Sequence, residues 1–288
     1  MHRLPRILIC AAVAALPALG LTAGLSTAAS ASTTSHVRPS AAAAKAEAIA
    51  IIKRLHIGQH GTDHRVSGPS AAISGLTQVQ STNWSGYADT GSNFSAVAGS
   101  WTEPHATCSS STTYAAFWVG IDGYSSSSVE QDGTLIECYG RTAYQYSWWE
   151  MYPTNSIQVV GTSVASGDAI TASVVRSGTS YTLKVTDSTH TANSFSTVQS
   201  CSGCANSSAE WIAEAPCCTS SGGILPLANF GTWTESGATV TEGTTSGVIS
   251  SFTDDEITMI NNSGATKAQP GSLNGSGNGF SVTWVRSS

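Results

Sequence analysis

Five short stretches hold the residues whose types and spacing could do chemistry. They are "NWSGY" (83–87), "FWVGIDG" (117–123), "SSVEQDGTLIEC" (127–138), "WWEMYP" (148–153) and "AEWIAEAP" (209–216). Aromatic rings crowd four of them. The fifth sets one neutral amide, Gln131, between Glu130 and Asp132. On a β-strand, side chains two positions apart share a face. That rule groups Trp118, Gly120 and Asp122; Gln131, Gly133 and Leu135; Trp148, Glu150 and Tyr152; and Glu210, Ile212 and Glu214. Converging faces of this kind would form a cleft of aromatics, carboxyls and one amide. A carboxylate there can move a proton, and an amide N–H₂ can hold an oxyanion at any working pH. Singly, the same residues read as ordinary sandwich packing and solvent-facing acids.

The elements that must position these residues are strands. From Asn83 onward, runs such as "FSAVAGSWTEP", "YAAFWVGID", "SIQVVGTSV", "AITASVVRS" and "YTLKVTDS" are β-branched or aromatic and end at Gly, Ser, Asp or Pro. Such closely spaced runs predict an all-β sandwich or barrel. No long helical periodicity follows Gln80. Before it the chain differs. Arg3 and Arg6 precede an apolar run at 7–23, and Ala29-Ser30-Ala31 offers a small-residue cleavage site, the pattern of a secretory signal peptide. Residues 41–55 are Ala-rich with interspersed charge, a helix pattern. "HIGQHGTDHRVSGPS" (56–70) is linker-like. The expected organisation is a signal peptide at 1–31, a propeptide-like helix and linker at 32–80, and one β domain at 81–288. The expected location is extracellular, with no membrane span.

Of the 7 cysteines, Cys10 lies in the leader. Cys108, Cys138, Cys201, Cys204, Cys217 and Cys218 remain. In an exported chain they point to disulfides, with the connectivity open. Adjacent Cys217 and Cys218 fit zinc-ligand spacings poorly. Charged residues are only 10 % of the chain, against about 25 % in ordinary soluble domains. The net charge of −6 argues against a nucleic-acid partner. Scarce charge also suits work at low pH, where carboxyl protonation changes little repulsion.

Several protease-like words fail on order or completeness. "HGT" (60–62), "DTG" (89–91) and "GTSVA" (161–165) imitate the subtilisin motifs, but His precedes Asp here and alternating helices are missing. A lone "DTG" lacks the second carboxyl of an aspartic-protease dyad. His56, His60 and His64 are broken up by Gly58 and Gly61, and read as linker rather than metal site.

In combination and in order, "NWSGY", "SWTEP" (100–104), "WVGIDG", "EQDGT", "WWEMYP", "AEWIAE" and "PLANFG" (226–231) resemble the glutamic peptidases, or eqolisins. The resemblance runs from Asn83 to the C-terminal region. It implies a sandwich of two antiparallel sheets (a concanavalin/lectin-like jelly roll). It implies a secreted acid endopeptidase made with a propeptide, insensitive to pepstatin and needing no metal or cofactor. By it, the catalytic Gln falls on Gln131 and the catalytic Glu on Glu210. Asp122, Trp118, Glu150 and Glu214 would support them, and Trp84, Trp148 and Tyr152 would line the substrate cleft. Asp132 follows the Gln where the pattern expects an uncharged residue, and Leu135 stands where relatives often carry an acid. The expected partners are protein or peptide substrates, and a monomer is the simplest assembly. The competing functions are a sugar-binding β-sandwich module and a glycosidase using two of Glu150, Glu210 and Glu214.

Overall fold

The structure is a computed structural model that describes residues 40–52, 65–66, 77–217 and 223–288. The leader, most of the linker and Cys218 lie outside the described residues. One α-helix, α1 (Ala41–Ile52), and strands β1 (Arg65–Val66) and β2 (Thr77–Ser81) precede the run of strands that carries the motifs above. These continue as β3 (Trp84–Thr90), β4 (Phe94–Thr102), β5 (Thr113–Ile121), β6 (Val129–Tyr139), β7 (Thr142–Tyr152), β8 (Asn155–Val159), β9 (Ala169–Ser177), β10 (Ser180–Asp187) and β11 (Phe195–Ser200). The chain closes with β12 (Ser208–Glu214), β13 (Thr232–Glu242), β14 (Thr245–Gly247), β15 (Asp254–Ile260), β16 (Thr266–Pro270) and β17 (Phe280–Trp284). After β2, the described residues hold only two three-residue 3-10 turns as helical structure.

The strands form two layers. The first runs β1-β2-β15-β3-β12-β5-β6-β7-β8, antiparallel except for the parallel β2–β15 pair. The second runs β11-β10-β9-β4-β13-β14. Strand β13 joins them: residues 232–235 pair with β17 and residues 236–242 with β4. Between the layers lies a core of Tyr87, Phe94, Trp101, Phe117, Trp211, Phe230 and Trp233 with aliphatic neighbours. Strand alternation explains it. Phe117, Val119 and Ile121 point into the sandwich, while Ala116, Trp118 and Gly120 point to the opposite face of the first sheet. That outer face is also buried, and carries a second cluster of Trp84, Tyr114, Trp118, Tyr124, Leu135, Tyr146, Trp148 and Ile257. Being covered on both faces, β5 and β6 read as near-continuous buried strands.

The helix supplies part of that cover. Ile52 is fully buried within the outer cluster, and Ile49 and Ile51 pack against it. α1 lies along β8, and the Glu47 carboxylate reaches the Tyr139 hydroxyl. Cys108–Cys138 and Cys201–Cys204 form disulfides, and Cys217 is bonded as well.

Candidate active site

Strand register lines up residues that are far apart in sequence. Across the outer face of the first sheet, one row reads Glu150, Gln131, Gly120, Glu210, Ala88 and Asp255. The next reads Trp148, Gly133, Trp118, Ile212, Gly86 and Ile257. A third reads Tyr146, Leu135, Ala116, Glu214 and Trp84. Gln131 and Glu210 thus stand two strands apart, about 10 Å between backbones, with Gly120 between them. A Cβ on Gly120 would lie 2.9 Å from Trp118 Cζ3 and 3.1 Å from Gln131 Cβ. The glycine therefore leaves room for the Trp118 ring and the Gln131 side chain to pack closely over the strand. Gly86 is required for a different close approach: at φ +149 a Cβ there would meet the Trp211 carbonyl at 2.1 Å.

Each polar side chain in the rows has defined neighbours. Gln131 Nε2 donates to Glu150 Oε2 at 3.0 Å. Trp118 Nε1 donates to Glu214 Oε2 at 2.9 Å, and Asn83 Nδ2 donates to Glu214 Oε1 at 3.2 Å. The Trp84 and Trp118 rings meet edge to face, centroids 5.0 Å apart. Tyr124 OH bonds the Asp255 carboxylate at the far end of the first row. The Ser208 hydroxyl lies beside Glu210 and favours its ionised form. Neither Glu210 oxygen, however, has a well-aligned hydrogen bond from the chain. Trp148 Nε1 and Glu150 Oε1 are likewise buried without one. Buried polar groups of this kind are costly, and they cluster where a ligand or reaction uses them.

Burial dominates the electrostatics. It pushes Glu210 well above the usual carboxylate range; Ser208 pulls it down, and Asp122, Glu130 and Asp89 add to the rise. Burial does the same to Glu150, against the hydrogen bond from Gln131. In both, burial favours the neutral carboxylic acid over the carboxylate.

Asp122 departs from simple alternation. Its φ of 71° turns the chain at the end of β5, so its carboxylate faces the 206–207 backbone instead of the cleft. Tyr152, two positions beyond Glu150, opposes Val129 at the end of β7 and is half-buried. Asp132 is on the inner side of β6, fully buried, facing the backbone of Ser173 and Lys184 in the second sheet. It does not share Gln131's surroundings. Asp255, Tyr124 and the burying helix were not legible as site features, because only pairing across strands brings them to the row. Two groups bring three potential metal-ligand atoms within 4.8 Å. In Glu130–Cys201–Cys204 the sulfurs form a disulfide. In Asp168–Asp187–His190 the carboxylates already accept bonds from Ala165, Thr189, Asn193 and His190.

Residues 82–284 match the model of the Peptidase A4 family. The chain belongs to that family. Among curated family relatives, Scytalidopepsin B of Scytalidium lignicola is 30% identical over 210 residues, 69% of this chain and 78% of the relative. Aspergillopepsin-2 of Aspergillus niger is 26% identical over 197 residues, 59% of this chain and 68% of the relative. Among solved structures, scytalido-glutamic peptidase with a transition state analog inhibitor superposes with a TM-score of 0.61 at 26% identity, covering 71% of this chain and 98% of that one. These matches make this family member a β-sandwich peptide-bond hydrolase. No helix among the described residues is long and apolar enough to cross a membrane.

Proposed function

We propose that this A4-family chain is a secreted acid endopeptidase in which Glu210 and Gln131 act on a water and the scissile peptide, and that its N-terminal segment keeps it latent. The observation that carries the proposal is the row Glu150–Gln131–Gly120–Glu210. It pairs one carboxyl and one amide across a gap closed to any side chain larger than glycine. A scissile carbonyl lying over Gly120 would have the two groups on either side. Once water reaches it, the burial that raises the Glu210 carboxyl is relieved, and it moves back toward the ordinary carboxylate range. In mild acid it is then partly ionised and takes a proton from water as the water attacks the carbonyl carbon. Gln131, oriented by its hydrogen bond to Glu150, offers its amide N–H₂ to the oxyanion. Glu210 then returns the proton to the leaving nitrogen, which closes the cycle without a covalent intermediate. Glu214, fixed by Trp118 and Asn83, supports the floor. Trp84, Trp148 and Tyr152 contribute the walls against which substrate side chains pack.

Latency follows from the same burial. With Ile52 seated among the cleft aromatics, Gln131 and Glu210 are fully buried. A polypeptide cannot reach them, and burial favours the protonated form of Glu210 over the base that catalysis needs. Residues 1–31 serve as signal peptide and 32–80 as propeptide in this proposal. The glycosidase alternative is disfavoured because the side chain opposite Glu210 is an amide, where a glycosidase uses a second carboxyl.

The test is digestion of denatured casein by matured protein at about pH 3 to 5, where a carboxyl near its ordinary value is partly ionised, with pepstatin and EDTA added in parallel. Cleavage unaffected by either agent is expected, with Glu210→Gln inactive. Gln131→Ala should lose about 10²–10³ in kcat, the usual cost of one oxyanion donor. Cleavage by Glu210→Gln at the parent rate would remove the dyad from consideration.

A further inference from the structure

The "CSGC" element has no part in the chemistry above, yet it lies six residues before Glu210. Cys201 and Cys204 are bridged, and both sulfurs lie within 4.8 Å of a Glu130 carboxyl oxygen. Glu130 is fully buried, and the nearby Asp122 carboxylate adds to the rise that burial gives it. Asp122 Oδ2 accepts the Asn206 N–H at 2.7 Å and the Ser128 hydroxyl at 3.3 Å. Its Oδ1 accepts the Ser207 N–H at 2.8 Å and hydroxyl at 3.0 Å. The Asp122 N–H donates to the Ser208 carbonyl at 3.1 Å. Asn206 has a left-handed φ of 52°, so two successive N–H groups form a nest around the carboxylate.

This hub joins the ends of the three strands that carry the dyad row. Asp122 ends β5, the Gly120 strand. Glu130 is the neighbour of Gln131 on β6. Residues 206–208 lead directly into β12 and Glu210. The bridge closes the loop that presents those residues to Asp122.

We propose that the Cys201–Cys204 bridge, acting through the Asn206–Ser207 nest on Asp122, positions Glu210 relative to Gln131. The proposal rests on the dyad assignment above. A misplacement of about 1 Å can cost about 10²-fold in rate, so a slack 201–208 loop is felt in catalysis before it is felt in folding.

The test is Cys201→Ala/Cys204→Ala in the full chain, compared with the parent by amide hydrogen exchange and by peptide hydrolysis after maturation. Faster exchange is expected in residues 129–133 and 208–212 but not in β9 or β10. A kcat lower by about tenfold, with KM within about twofold, is expected alongside it. Ser207→Ala, which removes one of the four bonds to Asp122, should fall between variant and parent. If the double variant does not fold, the folded parent is treated with a phosphine in acid. Mass mapping then confirms that only this pair is alkylated; both cysteines are partly exposed, whereas Cys138 and Cys217 are fully buried. Parent-like kcat without the bridge overturns the proposal, even if exchange quickens, because the bridge would then serve stability alone. An inactive parent sinks the peptidase function and this proposal together; an active parent with an indifferent variant sinks only this one.

Discussion

Raising the pH should unfold this protein, and the structure sets the steepness. Asp89, Glu103 and Glu130 are buried carboxyls with at most 1 % exposure. Burial raises them to about 9, about 8 and about 10 respectively. Nearby Asp254 and Glu242 add to the rise at Asp89, and Asp122 adds to it at Glu130, whereas hydrogen bonds from Thr134 and Trp101 oppose it at Glu103. In the unfolded chain such groups titrate near about 4. Above that value the native state keeps protons that the unfolded state has released. Native stability is therefore full below about pH 4 and falls as pH rises toward the folded values. Each group removes about 1.4 kcal/mol per pH unit. Three remove about 4, so about two pH units take about 8 kcal/mol, comparable with the about 5–15 that holds a domain folded. Asp187 works the other way: burial would raise it, but hydrogen bonds from Asn193, His190, Asp168 and Thr189 outweigh that and lower it. One such group does not offset three. The assay is the urea midpoint of the matured domain from about pH 3.5 to 7. Stability should fall steeply across the range, and Glu130→Gln should make the slope shallower by about 1.4 kcal/mol per pH unit. A midpoint that is flat or rises between about pH 4 and 6.5 would refute the reasoning.

Three further outcomes follow from the same coordinates. Gly120→Ala should cut kcat/KM by at least about tenfold, because its Cβ meets Trp118 and Gln131 at 2.9 and 3.1 Å; steady-state kinetics on a peptide reports it. Ile52→Ala removes a fully buried side chain from the cleft cluster. It should weaken the helix seat by about 2 kcal/mol and hasten the onset of activity on acidification about 30-fold. Trp118→Phe leaves the Glu214 oxygen that Trp118 Nε1 held at 2.9 Å without its donor. It should lower unfolding free energy by about 1–3 kcal/mol, read from denaturant titration.

Much of the fold was legible in the sequence because strand alternation is local. Period two alone separates Gln131 from Glu130 and Asp132, and groups Glu210 with Glu214, wherever the strands go. Short β-branched runs between turn residues likewise announce a sandwich. The same locality marks where the inference stops. Asp122 lies two residues past Gly120, yet its φ of 71° takes it off that face, and no spacing rule reveals a backbone turn made to satisfy residues 206 and 207. Helix α1 is visible as a helix from composition, but nothing in Ala41–Ile52 says which surface Ile52 will meet.

The sequence by itself determined the residue types and, Asp122 apart, the face each strand residue takes. It determined where the amide, the carboxyls, the aromatic rings and the cysteines stand along each strand, because that depends on neighbours one or two positions away. Only the tertiary structure decided the order of strands β7-β6-β5-β12-β3-β15. That order puts Gly120 between Gln131 and Glu210, and Asp255 on the same line. Strand order is set by burial of two faces and closure of long loops, which sum over the whole chain and leave no mark on any single stretch of it. The surroundings of Gln131 are thus set in two steps: its own strand turns it away from Glu130 and Asp132, and a strand some eighty residues on brings Glu210 into the same row.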